Sequence, residues 1–309
     1  MRSQKPLLIM MAAALILGAS PAGQSRQERF VADLQQADQR LAIVANRLLI
    51  ANTRLCGRLM PATGVTILAL DQYPPQMRPA ASKVLGFDTS VGIEVVVPGS
   101  AAVHAGLLPG DGIVAINDQP VPGKLAGSDT NSKLRDATER TIAALPPDRP
   151  IVFKILRSGR ESAAIVQPDA ACRSRFEMVP GSRPMAHSDG ETIQISSGFL
   201  ARFGDSALAV IFAHELAHTI LKHREQLAAA QRDKKQLARE AEREADRLSV
   251  HLLANAGYNP RIAPEFWREH GDAIGFLSFG DTIHDSPRKR IATLEAEIGL
   301  LNPKPEPPR

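Results

Sequence analysis

The stretch Ala213-His214-Glu215-Leu216-Ala217-His218-Thr219 sits inside an apolar run from Val210 to Leu221. Residues four apart on an α-helix lie on one face, so both imidazoles can reach a single ion. Glu215 falls about 60–100° around the helix from them, on the 3.6-residue period. Its carboxylate is then beside the ion rather than on it, where a base acting on an attacking water has to be. The alternative is a helix with two solvent-facing histidines. The apolar flanks Val210-Ile211-Phe212-Ala213 and Thr219-Ile220-Leu221 argue against that, because a helix apolar all round is a buried one.

A third donor follows in Glu242-Arg243-Glu244-Ala245-Asp246. Glu242 and Asp246 are four apart and share a helix face. Glu244 lies about 200° from Glu242 and reads as a surface acid. Two imidazoles and one carboxylate suit Zn2+, which takes such donors tetrahedrally and keeps one position open in catalytic sites. A metal-bound histidine usually gives its other N–H to a carboxylate, and Asp246 is placed for that. His223, five residues after His218, and His251, nine after Glu242, fall off the ligand faces and read as structural. His104, His187 and His270 lie outside the motifs.

Working outward, helical periodicity predicts helices from about Phe30 to Leu55, from Asp205 or Ser206 to about His223, and from about Arg239 to Ala256. Gly257 and Pro260 stop the last of these. Shorter helices are expected at Arg261–His270 and Pro287–Leu301. Gly64–Leu70 and Glu191–Ser196 read as strands, and the second could align a substrate backbone by edge pairing. From about Val84 to Pro168 the texture changes to Gly-rich turns and short β-branched strands. Within it a helix is expected at Asn131–Leu145, and a hairpin turns at Ser158-Gly159.

The chain opens with Arg2 and Lys5, an apolar run Leu7–Leu17, and the small residues Gly18 to Ala22. That is the layout of a secretory signal, residues 1–22, with an uncleaved anchor as the alternative. The run is shorter than the roughly 20 residues a transmembrane helix needs, and no other stretch could span a bilayer. Of two cysteines, Cys56 precedes the Gly-rich module and Cys172 follows it. In an exported chain they read as a disulfide tying the module's stems, with two buried thiols as the alternative. Net charge is +4 and aromatics are 4%, with no basic block interleaved with aromatics, so nucleic-acid binding has no support. The Pro-rich tail 303–309 reads as disordered.

HELAH (214–218), EREAD (242–246) and AGYNP (256–260) together resemble the gluzincin metallopeptidases that include HtpX, BepA and the CAAX prenyl protease. The resemblance implies that His214, His218 and Glu242 hold zinc and that Glu215 is the general base. His284-Asp285-Ser286-Pro287…Arg290-Ile291 is similar to that family's C-terminal His-Pro…Arg-Ile element, with the proline displaced by two positions. It implies a catalytic place for His284 as an oxyanion stabiliser. The segment Leu85-Gly86-Phe87 followed by residues 91–121 resembles a PDZ domain of the bacterial protease type. It implies that the Leu85–Phe87 backbone receives a peptide C-terminus beside the helix near Asn131. The fold class expected is α+β: a mostly helical zincin metallopeptidase domain (23–83 and 169–302) with an inserted β-rich PDZ domain (84–168). The function expected is that of an exported zinc endopeptidase of the periplasm or cell envelope, acting on protein or peptide substrates. A non-catalytic PDZ adaptor or chaperone of the envelope is the alternative.

Overall fold

The computed structural model describes residues 24–87, 89–121, 129–274 and 285–301. The expected signal segment, His284 and the tail lie outside them. Among the described residues no helix is long and apolar enough to cross a membrane.

The chain enters helix α1, Arg26–Ala51, through a capping box in which Ser25 and Glu28 bond each other's backbone N–H. Strand β1 (Leu59–Ala62) and strand β2 (Val65–Ala69) follow. Gly64 joins them at φ 82°, where a Cβ would stand 2.1 Å from that of Ser100, so only glycine fits. Helix α2 (Arg78–Leu85), strand β3 (Val91–Val96), the single turn α3 (Ala101–His104), and strands β4 (Gly112–Ile116) and β5 (Gln119–Pro120) come next. Helix α4 (Lys133–Ala143) and the hairpin β6 (Ile151–Arg157) and β7 (Arg160–Val166) complete this part. The hairpin turns at Ser158-Gly159, both at positive φ.

The strand order is β2-β3-β4-β6-β7, with β5 paired to β4. Its core gathers Ile67, Val91, Ile93, Leu107, Ile113, Phe153 and Val166. The sheet therefore begins at Val65, earlier than the boundary expected at Val84. Strand β2 was read as part of the other domain because an apolar strand looks the same whichever sheet it joins.

Strand β8 (Asp169–Cys172) returns antiparallel to β1, with Leu59 opposite Cys172 and Ala62 opposite Asp169. The Cys56–Cys172 disulfide closes the base of this stem, with its Cα atoms 5.4 Å apart. The sheet module is thus looped out between two strands held side by side, the arrangement expected from the cysteine positions.

Beyond the stem lie strands β9 (Arg175–Val179), β10 (Ala186–Ser188) and β11 (Thr192–Ser196), in the order β10-β11-β9. The helices are α5 (Ser197–Arg202), α6 (Asp205–Ile220), α7 (His223–Ala229), α8 (Lys234–Asn255), α9 (Ile262–Ile274) and α10 (Pro287–Leu300). Helix α6 is buried from Leu208 to His214 without interruption. It packs among α1, α8, α9 and the small sheet, in a core with Leu41, Leu48, Phe199, Leu253 and Phe266. Strand β11 lies in the middle of its sheet, parallel to β9 and antiparallel to β10. The edge pairing expected of it is therefore not available. Strands β10 and β9 are the outer strands, and β10 rests against α6 through a 2.8 Å hydrogen bond between Ser188 and Thr219.

Candidate metal centre and peptide groove

Helix α6 presents His214 and His218 one turn apart, and α8 crosses it to bring up Glu242. His214 Nε2 lies 3.1 Å from His218 Nε2 and 3.3 Å from Glu242 Oε2, and His218 Nε2 lies 3.5 Å from Glu242 Oε1. These three residues form a cluster with metal-ligand geometry among the described residues. Zinc bonds of about 2.0–2.1 Å at tetrahedral angles would set donors about 3.3–3.4 Å apart. The spacing and the donor chemistry therefore fit zinc.

The outer partners fix which nitrogens face inward. His214 Nδ1 lies 3.1 Å from Asp246 Oδ1 and 3.3 Å from Arg290 Nη2; the carboxylate only accepts, so Nδ1 carries a proton toward Asp246 and Nε2 faces Glu242 and His218. Asp246 is also held by Arg290, whose Nε donates to Oδ2 at 2.8 Å and whose Nη2 donates to Oδ1. Arg290 in turn lies flat over the Trp267 ring at 3.7 Å. Burial pushes the Asp246 carboxyl up, but Arg290 and His214 outweigh it and hold it below the usual range.

Burial also pushes His214 down, yet its bonds to Asp246 and Glu242 raise it to about 9. Burial and the neighbouring His214 charge press His218 down to about 3. Carboxylates at both nitrogens favour the protonated form of His214, and its charge helps keep His218 neutral. Glu215 follows His214 on the same helix and is half-buried, beside the pair rather than in the donor set.

Two residues read as incidental in the sequence belong to this neighbourhood. His223 Nδ1 lies 2.9 Å from His218 Nδ1, and His223 Nε2 lies 3.1 Å from Glu244 Oε2. Glu244 is the surface acid expected, 49% exposed on an unbroken α8, whereas the reading of His223 assumed that helix α6 continues to it. In fact α6 stops at Ile220, and Lys222 adopts a left-handed conformation at φ 56°. That turn folds the ring of His223 back onto His218. A lysine at left-handed φ has no sequence signal of its own.

The expected peptide-receiving residues lie at the end of α2 and ahead of β3. Leu85 ends α2, Gly86 caps it, and Leu85 and Phe87 are buried in a small cluster with Val31, Leu68 and Tyr73. Phe87 lies against Gly92 of β3. Strand β3 has β2 on one side and β4 on the other, so its backbone has no open edge for a peptide. The end strands are β2 and β7, and beside β2 a cavity of about 100 Å³ opens toward α4. Its lining includes Met60, Gly64, Ile67, Ile142, Ala143 and Phe176.

The PDZ domain family matches residues 92–142, which run from β3 to the end of α4, so the chain carries a PDZ domain within a mixed helix-and-sheet fold. Among solved structures the chain is similar to an HtrA-type protease AlgW with decapeptide, at 24% identity and a TM-score of 0.27. That match covers 36% of this chain and 30% of the other, under a third of its length. No curated protein matches the chain.

Proposed function

We propose that the chain is an exported zinc endopeptidase, with His214, His218 and Glu242 as the metal-holding residues and Glu215 as the general base. The observation that carries this reading is the donor spacing of 3.1–3.5 Å, which is that of a tetrahedral zinc site. The likeness of residues 214–218, 242–246 and 256–260 to the gluzincin metallopeptidases supports it independently.

When bound, zinc supplies a Lewis acid that lowers the pKa of water to about 7 and polarises a carbonyl oxygen. His214 and His218 would hold the ion through Nε2, His214 giving up its Nε2 proton to do so, and Glu242 supplies the negative charge that a divalent cation needs. Glu215 takes the proton from the attacking water and delivers it to the departing amine. Strand β10 is the outer strand beside α6, so its backbone can pair with an extended substrate and align the scissile bond. Burial of the donor set keeps bulk water from competing with these interactions.

Glu215→Gln keeps the shape and removes the base. A casein-type digestion should fall at least about 10²-fold in that variant, while zinc content stays at wild-type level. Near wild-type digestion would remove Glu215 from the mechanism.

The cavity between β2 and α4 favours a second, compatible role. It lies beside an end strand of the PDZ sheet, which is where such a domain adds a peptide as a strand. Peptide docking there would deliver substrates, or would serve an adaptor that does no chemistry. Chelator resistance of the protein's action in cells would favour the adaptor.

A further inference from the structure

We propose that His223 and Glu244 are positioning residues that hold His218 in the one tautomer able to face a metal. The inference rests on the zinc reading above and extends it to two residues outside the donor set.

Three side chains in a row fix the hydrogen positions. Glu244 Oε2 can only accept, so His223 must carry its proton on Nε2. His223 Nδ1 is then an acceptor, and the atom facing it at 2.9 Å is His218 Nδ1. His218 must therefore donate from Nδ1, which leaves Nε2 bare and aimed at His214 Nε2 and Glu242. Were the proton on Nε2 instead, the two Nδ1 lone pairs would oppose each other at 2.9 Å. A metal would also have to displace that proton.

The same logic works in one step at the other ligand, where Asp246 fixes His214 directly. At His218 the relay takes two steps because the carboxylate lies at the surface. The Glu244 side chain is 49% exposed, whereas that of His223 is 2% exposed and that of His218 is 18% exposed. His223 spans the distance from the surface acid to the ligand. Burial alone asks that both nitrogens of His223 find partners, but here one of those partners is a residue of the donor cluster itself. Nor would it require the left-handed Lys222 that turns it inward.

The test measures zinc affinity of the full chain by competition with a fluorescent chelator. Removing the outer partner of a metal-bound histidine typically costs 10–100-fold in affinity. His223→Phe should lose about that much. Glu244→Ala should lose less, because water can replace an exposed carboxylate. His223→Asn should recover most of the loss, since its amide oxygen can take the place of Nδ1 as acceptor. Imidazole ¹⁵N shifts of the zinc-loaded protein should show His218 protonated at Nδ1 in the wild type.

Glu244→Ala changes a surface side chain, so it reports on the relay even where His223→Phe fails to fold. Wild-type affinity in both Glu244→Ala and His223→Phe would overturn the positioning role and leave the zinc site standing. Failure of His223→Asn to exceed His223→Phe would also overturn it. Absence of zinc binding in the wild type would overturn the metal reading and this inference together.

Discussion

Arg290 grips both oxygens of Asp246 from the C-terminal helix α10, and Asp246 in turn holds His214. The last described helix is thereby tied to the first residue of the His214–His218–Glu242 cluster through a buried ion pair. Arg290 and Asp246 have side chains only 7% and 5% exposed, so neither charge has water to fall back on. Arg290→Ala would strand a buried carboxylate, at a cost of about 3–5 kcal/mol. Thermal unfolding should register this as a large drop in Tm. Arg290→Lys should recover little, because one ammonium cannot reproduce the two-pronged contact.

The stem disulfide closes a loop that spans the whole PDZ module, with a sequence separation of 116. In the chain-entropy model a loop of that size contributes about 5 kcal/mol. Cys56→Ser with Cys172→Ser should lower stability by up to that amount. The PDZ sheet should keep its fold, because its own core is separate. Denaturant unfolding of wild type and double variant, each followed by circular dichroism, would measure the difference.

Between the PDZ sheet and the helical part lies a cluster of acids around Arg135 and Arg175. Burial raises Asp38 to about 7 against the pull of Arg135, and burial likewise raises Glu139 to about 7 against Arg135 and Arg175. Glu94 is pushed up by burial and by Asp38. A carboxyl with a raised folded-state pKa stabilises the fold fully below its unfolded value, near 4. That contribution is lost as pH rises through about 7. Glu139→Gln mimics the neutral form. It should match wild type in Tm near pH 4, gain on it as pH rises from there to about 7, and keep a constant lead above that. A constant difference across the range would contradict the assignment.

How much of this was legible in the sequence depended on whether the decisive contact was local. The spacing of His214, Glu215 and His218 and that of Glu242 and Asp246 follow from one helix period, and both helices form as expected. The bracketing of the module by Cys56 and Cys172 was equally readable. Contacts set by tertiary placement were not. Arg290 meets Asp246 only because α10 packs on α8. Strand β2 joins the PDZ sheet, although its sequence suits either sheet. Strand β11 lies in the middle of its sheet because β9 and β10 both pair with it. His223 was misplaced by a single left-handed residue, Lys222.

The cavity beside β2 predicts where a peptide should dock. Ala143 lines it from the last turn of α4. Ala143→Trp should fill the space and abolish binding of short apolar-ended peptides, read by fluorescence anisotropy. Zinc content should not change. Undiminished peptide binding would place the docking surface elsewhere.

The metal content of purified protein tests the central claim most directly, with wild type measured beside Glu242→Ala by elemental analysis. One zinc per chain is predicted for the wild type, and a large loss for the variant. Wild-type protein that takes up no zinc, or a Glu242→Ala variant that holds as much as wild type, would contradict the account.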